Sequence, residues 1–208
     1  MDSIHRLEEI FSHFPGIGPR QAKRFVYYLL NKSQSSIKEF TDLVNEVKKA
    51  TSECASCHRI FMHKNTGDKT CSICTDVNRD QFILMIVARD SDFESIERSG
   101  AYKGLYFILG GTVPILDKEP EKRIRLKSLL ERISNNMSTA TSPFKEIILS
   151  LNTTPDGEHT ASIVHDAISR VTTTSSPKIS ILGRGLSTGA ELEYVDADTI
   201  KSALQNRH

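Results

Sequence analysis

All four cysteines of the chain fall in two pairs, Cys54-x-x-Cys57 and Cys71-x-x-Cys74, with thirteen residues between them. No other feature narrows the fold as much. Two such knuckles supply the four thiolates of a closed, tetrahedral Zn²⁺ site, one ion per chain. No coordination position stays open for chemistry, so the metal is expected to be structural. A disulfide framework or a redox pair would use the same residues, but disulfides do not persist in a reducing compartment. The intervening segment HRIFMHKNTGDKT is too short and too polar to build a core, so metal binding would supply the folding energy that burial cannot. His58 and His63 lie inside it, and with the shell already filled by sulfur both are expected at the surface.

The remaining chain sets wider bounds. At 208 residues and 23.3 kDa there is room for one large or two small domains. No apolar run approaches the ~18 residues needed to cross a membrane, and no signal-peptide core opens the sequence, so a cytoplasmic location is expected. A net charge of +1 argues against a uniformly basic coat. Nucleic-acid binding would have to come from a local patch and be salt-sensitive. Trp is absent and aromatics make up 7%, so no base-stacking platform stands out. Residues 134–142 and 171–177 are polar and read as loops.

One local patch is present. Ile4, Leu7, Phe11 and Phe14 recur at helical spacing, and Ala22, Phe25, Val26 and Leu29 do so on a second helix. Between them lies Pro15-Gly16-Ile17-Gly18, with Pro19 suited to a first helical turn. Arg20, Lys23, Arg24 and Tyr27 fall on the side of the second helix away from its apolar stripe. Gly16 and Gly18 let the backbone approach a ligand closely, and a helix N-terminus offers unpaired N–H groups to a phosphate. This is the pattern of a helix-hairpin-helix that grips DNA through Gly16, Gly18, Arg20, Lys23 and Arg24. A plain helical hairpin with a solvated basic face has the same spacing.

After the cysteines, apolar strands and helices alternate. FILMIVA (82–88), LYFIL (105–109), EIILSL (146–151) and KISIL (178–182) read as strands. Helices are expected near 91–99, 119–133, 158–169 and 197–206. Such alternation predicts a parallel sheet covered on both faces, with ligands beyond the carboxyl ends of its strands. Asp92, Asp156 and Glu158 fall there and form a candidate weak Mg²⁺ site. As plain structure, Asp92 is a helix cap and Asp156-Gly157 a turn.

Taken in order, the hairpin, the zinc knuckle and the α/β unit resemble the RecR family of bacterial recombination-repair proteins. The resemblance runs through PGIGPRQA, the paired CxxC, Arg79-Asp80, ERSGAYKGLYFILGG (97–111), LNTTPDGEHTA (151–161) and GAELEYVD (189–196). It implies a multidomain α/β protein: a helix-hairpin-helix region (1–53), a zinc finger (54–77), a Toprim-like parallel-sheet domain (78–182) and a C-terminal oligomerisation segment (183–208). It also implies a tetrameric ring that binds single- and double-stranded DNA and works with RecO and RecF to load recombinase at single-strand gaps. The chain departs from the family at the Toprim acids. Ala88 stands where a first-strand glutamate is usual and Arg89 where an aspartate follows. Asp92 and Glu158 match, and Asp156 replaces a glutamate. Ser187 replaces a usual proline and Ala190 a usual glycine.

The leading expectation is therefore a non-catalytic DNA-binding mediator. Its rivals are a Toprim phosphoryl-transfer enzyme, nuclease or topoisomerase-like, and a zinc scaffold that binds only protein. The enzyme would need a proton-transfer group on the first strand, where position 88 is Ala.

Overall fold

The computed structural model describes residues 2–63, 65, 67–117, 119–139, 143–172, 177–183, 185–186, 189 and 191–205. The chain divides into two compact units, Met1–Thr51 and Ser52–His208.

The first unit is helical: α1 (Ser3–Ser12), α2 (Pro19–Leu30) and α3 (Gln34–Ala50). Asp2 caps α1 by accepting from the Ile4 N–H, and Ser33 caps α3 by accepting from the Ser36 N–H. Pro19 occupies the first turn of α2, where a missing N–H costs nothing. Gly16 turns the chain with φ +77°, a left-handed conformation open to glycine. Phe11 then packs against Phe14 and Phe25, with ring centroids 5.4 and 5.8 Å apart. Burial goes little further. Ala22 and Val26 on α2 are buried, whereas α1 and α3 bury no residue.

The second unit opens with a short hairpin, β1 (Thr51–Glu53) and β2 (Ile60–Met62), and one helical turn, α4 (Ser72–Thr75). There follow β3 (Asp80–Val87), α5 (Asp90–Ser99), β4 (Gly104–Ile108), α6 (Pro120–Arg123), α7 (Leu126–Thr139), β5 (Glu146–Ser150), α8 (Pro155–Val171), β6 (Lys178–Ile181), a 3₁₀ turn at Leu192–Tyr194 and α9 (Ala197–Gln205). The larger sheet has the order β4-β3-β5-β6, and the registers of its three pairings are all parallel.

Strand alternation sends Leu84, Ile86, Phe107, Ile147 and Leu149 to one face, under α7 and α8. Met85, Val87, Tyr106 and Ile108 go to the other, under Phe93 of α5. The central strands are thus apolar on both faces, as buried parallel strands require.

Several elements depart from the expected bounds. Residues 134–139, read as loop, continue α7, because Leu126, Leu129, Leu130, Ile133 and Met137 keep one apolar stripe through the polar stretch. The rest of that stretch, 140–142, lies outside the described residues, as do 173–176 of the second expected loop. Helix α8 begins at Pro155 rather than Glu158: Thr154 accepts from the Gly157 N–H at 3.3 Å, so Asp156 and Gly157 form a first helical turn, not a separate turn. Gly157 lies so close to the Asn152 carbonyl that an added Cβ would overlap it. Ser187 and Ala190 also lie outside the described residues.

Candidate metal centre and nucleic-acid interface

The four cysteines converge. Cys54, Cys57 and Cys71 are buried, Cys74 is partly buried, and all four Sγ atoms lie within 4.8 Å of one another. Among the described residues no other three His, Cys, Asp or Glu side chains meet this way. Two separations decide what the cluster fits. Cys57 and Cys71 Sγ are 3.6 Å apart and Cys54 and Cys74 Sγ 3.9 Å. A disulfide needs about 2.05 Å. A tetrahedron with metal–sulfur bonds of about 2.3 Å puts its sulfurs about 3.8 Å apart. The donor set therefore fits a closed tetrahedral metal site. The Cys71 N–H donates to Cys54 Sγ at 3.3 Å, the kind of contact that favours a thiolate.

The knuckle is fixed to the sheet by contacts that the cysteine spacing does not announce. The Ile108 N–H, on edge strand β4, donates to the Cys57 carbonyl at 2.9 Å. Arg132 of α7 bridges the Ser56 carbonyl at 3.0 Å and the Tyr106 carbonyl at 2.6 Å. Asp90 accepts from the Ile60 N–H at 2.9 Å. His58 was expected at the surface and is only partly exposed: its ring sits edge-on to Phe107 at 5.2 Å, with Nδ1 2.5 Å from Glu53 Oε1. Its φ of +62° lets the knuckle turn sharply after Cys57. His63 is partly buried, with Nδ1 3.5 Å from Ser52 Oγ. Side-chain hydrogen bonds to the backbone of a distant segment have no local signature, so Arg132 and Asp90 could not be assigned from pattern.

At the carboxyl ends of the strands, Ala88 is buried and Arg89 exposed. The acids near them do not gather into one group. Asp92 Oδ2 accepts from the Arg89 N–H at 3.0 Å, and Asp156 Oδ1 from the Ile115 N–H at 3.3 Å. Glu158 is exposed on the first turn of α8. Two of the three carboxylates thus act as caps for backbone N–H groups. Gly110 (φ +94°) carries the chain past Arg125, whose Nη1 lies 2.5 Å from where a Cβ would stand.

The hairpin presents the other candidate surface. Arg20, Lys23, Arg24 and Tyr27 line the exposed side of α2, and the first three form no ion pair among the described residues. The Gly18 N–H is taken by Gln21 Oε1 at 3.3 Å, so Gly18 serves as the α2 cap. The N–H groups of Arg20 and Gln21 have no acceptor among the described residues and point out of the helix start. Positive side chains and open amides at one place suit an anion held by its oxygens.

Fold and site together define a Toprim α/β protein carrying a four-cysteine knuckle and a basic helical hairpin. The Toprim domain model matches residues 83–174, and the model for the RecR C-terminal region matches 185–208. The chain is 33% identical to the recombination protein RecR of Lactobacillus acidophilus over 98% of its length and 96% of the relative's. It is also 33% identical to the recombination proteins RecR of Prochlorococcus marinus, over 95% of the chain and 91% of the relative, and of Bifidobacterium adolescentis, over 99% and 95%. The chain belongs to the RecR family of recombination proteins.

Proposed function

We propose that this protein is a non-catalytic DNA-binding mediator of recombinational repair in the cytoplasm. It helps recombinase load at single-strand gaps as a clamp subunit holding one structural Zn²⁺ in Cys54, Cys57, Cys71 and Cys74. The observation that carries the DNA contact is the set of cations Arg20, Lys23 and Arg24, without ion pairs among the described residues, beside the α2 amides that have no acceptor there. Gly16 and Gly18 shape the approach to them. Phosphate contacts of this kind grip backbone without reading sequence, so single- and double-stranded DNA are both substrates for binding.

Assembly as a homo-oligomer is supported by apolar surface. Phe40, Leu43, Val44 and Val47 make an exposed stripe along α3, and Leu192 and Tyr194 of the C-terminal segment are 66% and 80% exposed. The tetrameric ring and the partners RecO and RecF are what family membership points to. No helix among the described residues is long and apolar enough to cross a membrane.

The non-catalytic reading rests on the strand ends. Ala88 has no titratable atom, Arg89 is a fixed cation, and Asp92 and Asp156 are spent on backbone N–H groups. Asp92, Asp156 and Glu158 hold Mg²⁺ weakly at most.

Supercoiled plasmid incubated with the protein and Mg²⁺ or Mn²⁺ should be retarded in a gel yet stay supercoiled. Metal-dependent nicking that Asp92→Asn abolishes would replace this reading with the phosphoryl-transfer enzyme.

A further inference from the structure

Composition suggested no base-stacking platform, but the surface of the hairpin carries one aromatic ring inside its basic stripe. Tyr27 is 48% exposed and follows Arg24 by three positions and Lys23 by four, so all three occupy one side of α2. Lys23 Nζ lies over the Tyr27 ring but loosely, 5.9 Å from its centroid. The Tyr27 hydroxyl makes no hydrogen bond among the described residues. Neighbouring Tyr28 is placed differently. It borders the apolar recess formed by Phe11, Phe14, Phe25 and Phe40, and Lys32 Nζ covers its ring at 4.5 Å.

An exposed ring is ordinary; one flanked by three cations that form no ion pair among the described residues is not. Phosphates drawn to Arg20, Lys23 and Arg24 bring nucleobases to the same place. At about 1.5 Å of rise per residue, Tyr27 stands about 4.5 Å along the helix from Arg24, within a nucleotide's reach of a phosphate held there. In a duplex the base faces are already stacked on one another. In a single strand they are free, and every base has a face to offer, so stacking adds affinity without sequence preference.

We infer that Tyr27 is a base-stacking platform that gives the hairpin a preference for single-stranded DNA. This rests on the proposed DNA contact of Arg20, Lys23 and Arg24 and names which form of DNA that contact favours.

The test uses the full chain and three probes: an oligothymidylate, an abasic strand of the same length, and a blunt duplex. Tyr27→Ala should weaken oligothymidylate binding roughly tenfold. It should leave abasic-strand binding, duplex binding and the salt slope unchanged, and Tyr27→Phe should bind as wild type does. A Tyr27→Ala protein that keeps the wild-type ratio of oligothymidylate to abasic affinity overturns the inference. So does one whose mass by light scattering drops, since the ring would then face a second copy of the chain. Arg20→Ala with Arg24→Ala separates the two levels. If it weakens all three probes while Tyr27→Ala is silent, the DNA contact stands and the stacking role falls. If it weakens none, the DNA contact falls and the stacking role with it.

Discussion

The two units spend their side chains in opposite directions. In Met1–Thr51 the helices bury Ala22 and Val26, while Phe40, Leu43, Val44, Tyr27 and the cations of α2 face outward. In the α/β unit most of the demanding groups are met within the unit, although Arg59 Nε and Arg79 Nε are buried with no hydrogen-bond partner among the described residues. The four sulfurs meet one another, Arg132 ties two carbonyls, and Arg79 pairs with Glu97, which also accepts from Tyr106 Oη at 2.9 Å. Groups left unpaired on a folded surface are available to a partner, whereas groups already paired hold the fold. On the proposed function, the contrast favours DNA contacts on the helical unit and stability in the core of the α/β unit, whose exposed Leu192 and Tyr194 remain open to assembly.

The largest break in that contrast should come from the metal site. Cys71→Ser leaves three sulfurs without a closed shell, and a strong chelator leaves all four without the metal; either should cost several kcal/mol, seen as a collapsed melting transition and poorly soluble protein. Elemental analysis should find one zinc per wild-type chain, and a melting curve unmoved by chelator would contradict the assignment.

Gly157→Ala comes next. Its new methyl would overlap the Asn152 carbonyl at the α8 start, for a cost of about 1–3 kcal/mol by thermal melting. Arg132→Ala should cost a similar amount, about 1–3 kcal/mol, by stranding two carbonyls and loosening the knuckle from β4. Faster zinc loss to a chromogenic chelator would register the loosening.

Leu43→Ser with Val44→Ser sharpens the comparison from the other side. Because these residues are exposed within the chain, stability should move by only about 0.5 kcal/mol each. The oligomeric mass by light scattering should nevertheless fall.

The smallest effect is alkaline. Burial, reinforced by the bond to Glu97, pushes the Tyr106 phenol above its ordinary 10.0. A raised folded-state value means that its contribution is complete below pH 10 and fades as pH climbs toward the folded value. Tyr106→Phe should flatten that decline in melting temperature.

Much of this division was legible from local pattern. Paired CxxC spacing gave the metal centre, and apolar runs gave the four parallel strands. The stripe Ala22, Phe25, Val26, Leu29 separated the two sides of α2. Long-range pairing was not legible: Asp90 to Ile60, Arg132 to Ser56 and Ile108 to Cys57 join segments whose spacing carries no signal. Nor was the end of α7, where polar Ser134, Asn135 and Asn136 hid a stripe that Ile133 and Met137 continue. The acids of the strand ends looked like a cluster because sequence places them in one region, while the fold gives Asp92 and Asp156 separate backbone partners.

The most direct measurement is the salt dependence of DNA affinity for the full chain and its Arg20→Ala, Arg24→Ala double variant. If the outward cations of the helical unit hold phosphates, the variant should bind every sequence more weakly. Its slope of log K against log salt should flatten by about two units, roughly one per lost contact. Its melting temperature and zinc content should stay at wild-type values. An unchanged slope and affinity at low salt would contradict the account.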